Sequence, residues 1–173
     1  GEVIFLDSAL DMETKRVKDE FNCPHCASAL TKKRLDKNFQ SRYDEKIDDA
    51  ITAPKRVPAL IFYRIGKVKY EKKPDDSDLA LIEKIESMGY PDLLPSQLLP
   101  KMHMTHERAR MDRAGVTHLH HFFFSRAAHS LALLWEKASS FKERRISNML
   151  VYMVEQAAWT MSIMNRYRPT GFS

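Results

Sequence analysis

Two stretches of the chain carry side chains that could do chemistry. The first is "CPHC", where Cys23 and Cys26 flank Pro24 and His25 and are the only cysteines present. Pro24 favours a tight turn, and a C-x-x-C turn aims two thiolates at one point, as in the knuckles of zinc ribbons. Thioredoxin-like redox chemistry uses the same spacing, but there the pair opens a helix inside a βαβ unit, and none surrounds this one. A tetrahedral zinc needs four ligands. In a ribbon the other two would sit in a later hairpin turn, and the only candidate hairpin, "YRIGKVKY" at 63–70, offers no ligand. His25, His103, His106, His118, His120, His121 and His129 are the remaining candidates. Cys23 and Cys26 are therefore candidate metal ligands, and a metal-free knuckle is the alternative.

The second stretch is "GVTHLHHFFFSR" at 115–126. If extended, it places His118 and His120 on one face and Leu119 and His121 on the other. Two histidines on one face could hold a metal, yet no Asp or Glu lies within the stretch to complete a site. The simpler reading is a set of hydrogen-bonded or interface histidines leading into a helix that Ser125 would cap. Arg126 then falls in the first helical turn, where the helix dipole disfavours a cation. A contact of Arg126 with phosphate or with another domain is a candidate reason for it.

Other chemistry is missing. Five glycines are scattered singly, so no Gly-rich phosphate or cofactor loop exists. There is no nucleophile elbow, no H-E-x-x-H helix and no paired-carboxylate site. No residue is a candidate catalytic group, and the chain carries no self-sufficient active site.

The elements that must position these residues fall into two unlike parts, 1–74 and 75–173, which could also form one continuous domain. "EVIFLD" (2–7) predicts a short strand, and "KRVKDEFNCPHC" a strand leading into the cysteine turn. Leu35, Phe39, Tyr43 and Ile47 recur every four residues, which predicts a helix over 31–51 with Thr31 as its cap. "VPALIFYRIGKVKYEKKP" (57–74) predicts a hairpin turning at Gly66. After Pro74, Asp75 or Asp76 caps a helix whose buried stripe is Leu79, Ile82 and Ile85, with Gly89 as its stop. "YPDLLPSQLLP" (90–100) holds three of the eight prolines and predicts an ordered loop. Two helices follow, and the second puts Ile146, Met149, Leu150, Met153, Ala157, Met161 and Met164 on one stripe, read as core packing. The fold class expected is α+β: a small antiparallel, zinc-ribbon-like sheet followed by a mainly helical part.

Composition is that of a folded, water-soluble domain, with 43% hydrophobic and 29% charged residues in 173. No apolar run approaches a membrane span, the first residues do not read as a signal peptide, and two close cysteines suit a reducing cytoplasm. With no initial Met, the chain reads as an internal piece of a longer protein. The net charge is +5, and its distribution says more: residues 31–73 carry 13 Lys or Arg against 6 Asp or Glu, whereas 1–30 carry 3 against 6. A concentrated basic region is the electrostatic footprint of a nucleic-acid contact. Lys32, Lys33, Arg34, Lys37, Arg64, Lys67 and Lys69, with Arg126, are the candidate DNA-binding residues; a solvated surface is the alternative.

Three stretches, "VIFLDSALDMETKRVKDEFNCPHCASALTKKRL", "RVPALIFYRIGKVKYEKKPDDSDLALIEKIE" and "GVTHLHHFFFSR", together resemble the central segment of large bacterial site-specific DNA methyltransferases that methylate adenine N6 or cytosine N4. The resemblance covers most of the chain, in the same order. It implies a parent enzyme that uses S-adenosylmethionine, bound by a Gly-rich loop, with an Asp-Pro-Pro-aromatic motif positioning the target amino group. Neither motif occurs here, so the segment resembles an insertion that carries target-recognition structure, with no cofactor of its own beyond a candidate zinc. Relatives often place a glycine after the first cysteine pair, where this chain has Ala27. The partners implied are DNA and the rest of the parent chain. Two alternatives stand beside this reading. One is a structural insert that packs its methionine-rich helix on the catalytic domain or forms a homodimer through it. The other is a zinc-dependent enzyme built from Cys23, Cys26 and the His118/His120 pair.

Overall fold

The computed structural model describes residues 1–11, 13–14, 16–108 and 111–165. Among these residues it is α+β: three two-stranded antiparallel sheets and four α-helices, with short turns of 3-10 and π-helix between them. Two compact units account for the chain, one of Gly1–Gln40 with Pro54–Leu79, the other of Ser41–Ala53 with 80–165. Their boundary falls within β3, β4 and α2, defined below.

In the first unit, 2–7 does not form the predicted strand. Phe5–Ala9 is a short helix, α1, which buries Ala9 and sets Phe5 edge-on to Phe21 with ring centroids 5.9 Å apart. A short continuous apolar run suits either element, and here contact with β1 decides for the helix. Strands β1 (Glu20–Asn22) and β2 (Ala29–Thr31) pair around the cysteine turn, with Phe21 as their buried residue. β5 (Ile61–Ile65) and β6 (Val68–Lys72) form the predicted hairpin, and Gly66 takes φ +61° in its turn, a conformation that side chains with a Cβ resist.

The helix expected over 31–51 is absent. Lys32–Arg34 makes one 3-10 turn, and the rest is a hairpin of β3 (Phe39–Asp44) and β4 (Asp49–Pro54). Turn chemistry overrides the weak four-residue period. Asp44 Oδ1 accepts the Lys46 backbone N–H at 3.0 Å, Ile47 N–H bonds the Asp44 carbonyl at 3.3 Å, and Asp48 adopts φ +53°. Of the supposed apolar stripe, Phe39 is 45% and Tyr43 62% exposed, so no core held a helix there.

Helix α2 (Asp76–Glu86) begins as expected, but its stripe is not buried: Leu79 is exposed and Ile82 and Ile85 are half-buried. Asp75 Oδ1 accepts the Asp78 N–H at 3.0 Å while Asp78 Oδ2 accepts the Asp75 N–H at 3.0 Å, a reciprocal cap. In the second unit, 90–100 is the expected loop. Helices α3 (Ser125–Ser139) and α4 (Arg144–Met161) pack together, and Ala127, Ala128, Leu131 and Ala138 are buried on α3. Ser125 is the first residue of α3 and not its cap: Phe124 holds that position, and no side chain caps the helix. The predicted stripe of α4 divides: Leu150, Ala157 and Met161 are half-buried, with Ser147, Val151, Val154 and Ala158 beside them, whereas Ile146, Met149 and Met153 are exposed, the two methionines at 62% and 65%. No helix among the described residues is long and apolar enough to cross a membrane.

Candidate functional site

Among the described residues the most deeply buried polar groups are Asp44, His120 and His121, and the sequence did not show that they meet. Asp44 ends β3 with its side chain 3% exposed, and His120 and His121 are 0% and 1% exposed. The two histidines lie on a 3-10 turn, Leu119–Phe122, which places successive side chains toward one point where an extended strand would have separated them. The turn is anchored on both sides. Leu119 N–H bonds the Gln97 carbonyl at 3.0 Å, Leu99 N–H bonds the Thr117 carbonyl at 2.8 Å, and the Tyr90 hydroxyl donates to the Phe123 carbonyl at 3.0 Å. The proline-rich loop is therefore the frame of this cluster. Lys46, next to Asp44 in the β3–β4 turn, also grips it by donating Nζ–H to the Pro91 carbonyl at 2.8 Å.

Asp44 Oδ2 accepts Nε2–H from both His120 and His121, each at 2.7 Å. His121 Nδ1 accepts the backbone N–H groups of Thr117 at 3.2 Å and His118 at 3.3 Å. That network assigns the His121 proton to Nε2. His120 Nδ1 is buried and has no hydrogen-bond partner among the described residues, while Tyr90 meets the His120 ring edge to face at 5.0 Å. Burial pushes the pKa of both imidazoles down, against the opposing pull of the Asp44 carboxylate. Burial alone would raise Asp44, but the N–H donors of His120 and His121, with the Lys46 N–H, outweigh it and hold the carboxyl below its usual range. The result is one buried carboxylate stabilised by two neutral imidazoles.

One carboxylate and two imidazoles are a suitable donor set for a divalent transition metal, and these three are the only group of that kind among the described residues. Their geometry is nevertheless that of hydrogen bonds. Two ligands on one tetrahedral zinc stand about 3.3 Å apart, whereas the carboxylate-to-imidazole separations here are 2.7 Å. A metal-ligating imidazole also donates its second N–H outward, but His121 Nδ1 accepts two backbone N–H groups. As placed, the three groups are hydrogen-bonded and closer together than metal ligands stand, and all three side chains are buried. The cluster is a structural clamp. The histidines are hydrogen-bonded, as the simpler reading expects, and the alternative His118/His120 pair is not the one that converges: His118 Nδ1 meets Thr117 Oγ1 at 3.0 Å, and His121 shares a partner with His120.

The cysteine turn has the expected shape. Cys23 N–H bonds the Ser28 carbonyl at 2.8 Å, Ala27 N–H bonds the Cys23 carbonyl at 2.9 Å, and Ala27 takes φ +57°. Both thiols are free, Cys23 half-buried and Cys26 exposed. The Ser28 hydroxyl, 3.0 Å from Cys26 Sγ, then the Ser28 N–H and the Cys23 thiol, pull the Cys26 thiol below its ordinary pKa. His25 turns away and donates Nε2–H to the Glu2 carbonyl at 2.8 Å. Among the described residues, no histidine or carboxylate joins the two thiols in a three-ligand group.

All eight cationic candidates are exposed, seven in the first unit and Arg126 in the second. Lys32, Lys33 and Arg34 form the 3-10 turn after β2, and the Lys32 ammonium lies 5.7 Å from the Phe5 ring centroid. Lys32 and Lys37 also line an open groove of about 790 Å³ floored by Val3, Ile4, Leu35 and Val57. Arg64 and Lys69 oppose each other across the β5–β6 hairpin, and Lys67 sits at its tip. Arg126 stacks on Phe124 at 4.5 Å, a cation–π contact that offsets its unfavourable place in the first turn of α3. Compared with known protein families, curated proteins and solved structures, the chain matches none.

Proposed function

We propose that this chain is a non-catalytic accessory or target-recognition segment of an S-adenosylmethionine-dependent DNA methyltransferase of the amino-methylating type, and that it contacts DNA through its basic region. The parent would work in the bacterial cytoplasm and supply the cofactor loop and catalytic motif, flip the target base and transfer the methyl group. One observation carries the DNA contact: Lys33, Arg34, Arg64, Lys67 and Lys69 are exposed in one compact unit, and no ion pair among the described residues engages them. Charges left uncompensated on one unit suit phosphates, which give affinity and register without sequence information. The buried Asp44 clamp supports a scaffold role in the same way, since it spends its polar groups on structure.

Binding of this chain to duplex DNA across a salt series tests the proposal. Affinity should fall steeply as salt rises, and replacing Lys32, Lys33 and Arg34 with Ala should flatten the slope. No binding even at low salt would sink it.

The zinc-ribbon likeness of the first part belongs to the same proposal. β1 and β2 flank a knuckle with a left-handed Ala27 and a lowered Cys26 thiol, which is how a knuckle presents thiolates. The β5–β6 hairpin takes the place of the second knuckle but carries no ligand. Cys23 and Cys26 supply two of the four ligands a zinc requires, so a full site would draw the others from the rest of the parent protein.

A second reading rests on α4. None of its residues is buried, and Met149, Tyr152, Met153 and Trp159 are 62%, 61%, 65% and 83% exposed. An apolar face this open suits packing against the parent's catalytic domain or a second copy, without DNA. Sedimentation across a concentration series separates the readings: self-association without DNA affinity favours packing.

A further inference from the structure

The β5–β6 hairpin has two unlike faces. Directly opposed residues of an antiparallel pair point to the same side. The register therefore puts Tyr63 with Tyr70 and Ile65 with Val68 on one face, and Phe62 with Glu71 and Arg64 with Lys69 on the other. The first face also carries Ile61 opposite Lys72 at the strand ends and is otherwise apolar or aromatic, with Tyr63 and Tyr70 stacked at 5.3 Å between ring centroids. On the second, two cations stand directly opposite each other, a pairing that destabilises a sheet unless an anion compensates it. Neither Arg64 nor Lys69 has an ion-pair partner among the described residues, and the hairpin packs chiefly on itself.

We infer that this ribbon reads duplex DNA from the major groove, with Arg64 contacting a guanine edge, Lys69 beside it and Lys67 at the tip on phosphate. The inference rests on the DNA-contact reading above and adds the reading element to it. The dimensions agree: paired strands lie about 4.8 Å apart, and the major groove, about 12 Å wide, admits a two-stranded ribbon. The chemistry agrees as well. A guanidinium matches guanine O6 and N7 with two parallel N–H donors, which an ammonium cannot do as a fixed fork. The phosphate-facing role falls to Lys32, Lys33 and Arg34, whose 3-10 turn lies outside the ribbon.

The test uses this 173-residue chain and a pool of randomised duplexes, selected over several rounds and then measured one by one. Three variants are compared: Arg64→Lys, which keeps charge but loses the fork; Arg64→Ala; and Lys33→Ala. The unfolding curves of Arg64→Lys and Lys33→Ala should overlay the wild type, and Arg64→Ala, which relieves the repulsion with Lys69, should unfold no earlier. The expected result is a selected sequence containing a guanine that Arg64→Lys and Arg64→Ala discriminate roughly tenfold less well, with Lys33→Ala weakening all duplexes alike. If no duplex binds at any salt, the DNA-contact reading falls and takes this inference with it. If duplexes bind without a preferred sequence, or Arg64→Lys leaves the preference intact, the ribbon inference alone is overturned. It is also overturned if single strands bind better and Tyr63→Ala abolishes that binding, or if the ribbon instead joins two copies and Ile65→Ser separates them.

Discussion

At the scale of single residues, Asp44 takes N–H donors from His120 and His121 in a site that water does not reach, so its loss cannot be repaired by solvent. Replacing it with Ala leaves two buried imidazole N–H groups unpaired, and hydrogen bonds to a charged partner are worth about 1.5–3 kcal/mol each. Asp44→Ala is expected to lower stability by roughly 3 kcal/mol or more, read from the urea midpoint. The same groups set a pH dependence. Both imidazoles have folded pKa values below the ordinary 6.5, so the unfolded chain takes up protons first and stability falls as pH drops through and below 6.5. Asp44, also lowered, keeps its contribution above the ordinary 3.8 and loses it only at more acid pH. Urea midpoints should therefore decline between pH 7 and pH 5 in the wild type and decline less in His121→Gln. A cobalt(II) titration should show no ligand-field absorption that depends on Asp44; any that appears should vanish with Cys23→Ser. The histidine stretch was conspicuous in the sequence, but its partner was not. Asp44 lies 76 residues from His120, in a charged run that reads as solvated surface.

At the scale of elements, local chemistry decided more than periodicity. The cysteine turn was legible because Cys, Pro and a two-residue gap permit little else. Ala27 is its weak point: at φ +57° a Cβ costs about 1 kcal/mol, and a glycine costs nothing there. Ala27→Gly is expected to raise the stability of the first unit by about 1 kcal/mol, measured by chemical denaturation. The β5–β6 hairpin was legible from β-branched and aromatic residues around a glycine. The β3–β4 hairpin was not, since Leu35, Phe39, Tyr43 and Ile47 share a four-residue period by coincidence, while Asp44 and Asp48 build a turn between strands that bury little. α1 was misread for the opposite reason, because a short apolar run has no period of its own.

At the scale of the whole chain, the buried apolar set among the described residues is small and built of small residues, with four alanines among nine. The large apolar residues are mostly outside. Trp159→Ala and Met153→Ala are thus expected to change the chain's own stability by less than about 0.5 kcal/mol, by thermal unfolding. Under the packing reading the same substitutions should weaken association with a second copy or with the parent's catalytic part.

The sequence by itself determined the class of the chain, the cysteine turn, the glycine-turned hairpin, the cap and span of α2, and the concentration of positive charge. Each depends on neighbours within a few residues, where turn geometry and capping act. Only the tertiary structure decided that His120 and His121 converge on Asp44, that α4 turns Leu150, Val154, Ala157 and Met161 inward and leaves Met149 and Met153 outside, and that Arg64 and Lys69 share an exposed face. Those outcomes depend on which segments meet. That choice is made by burial and by satisfying buried polar groups across the chain, and no local pattern records it.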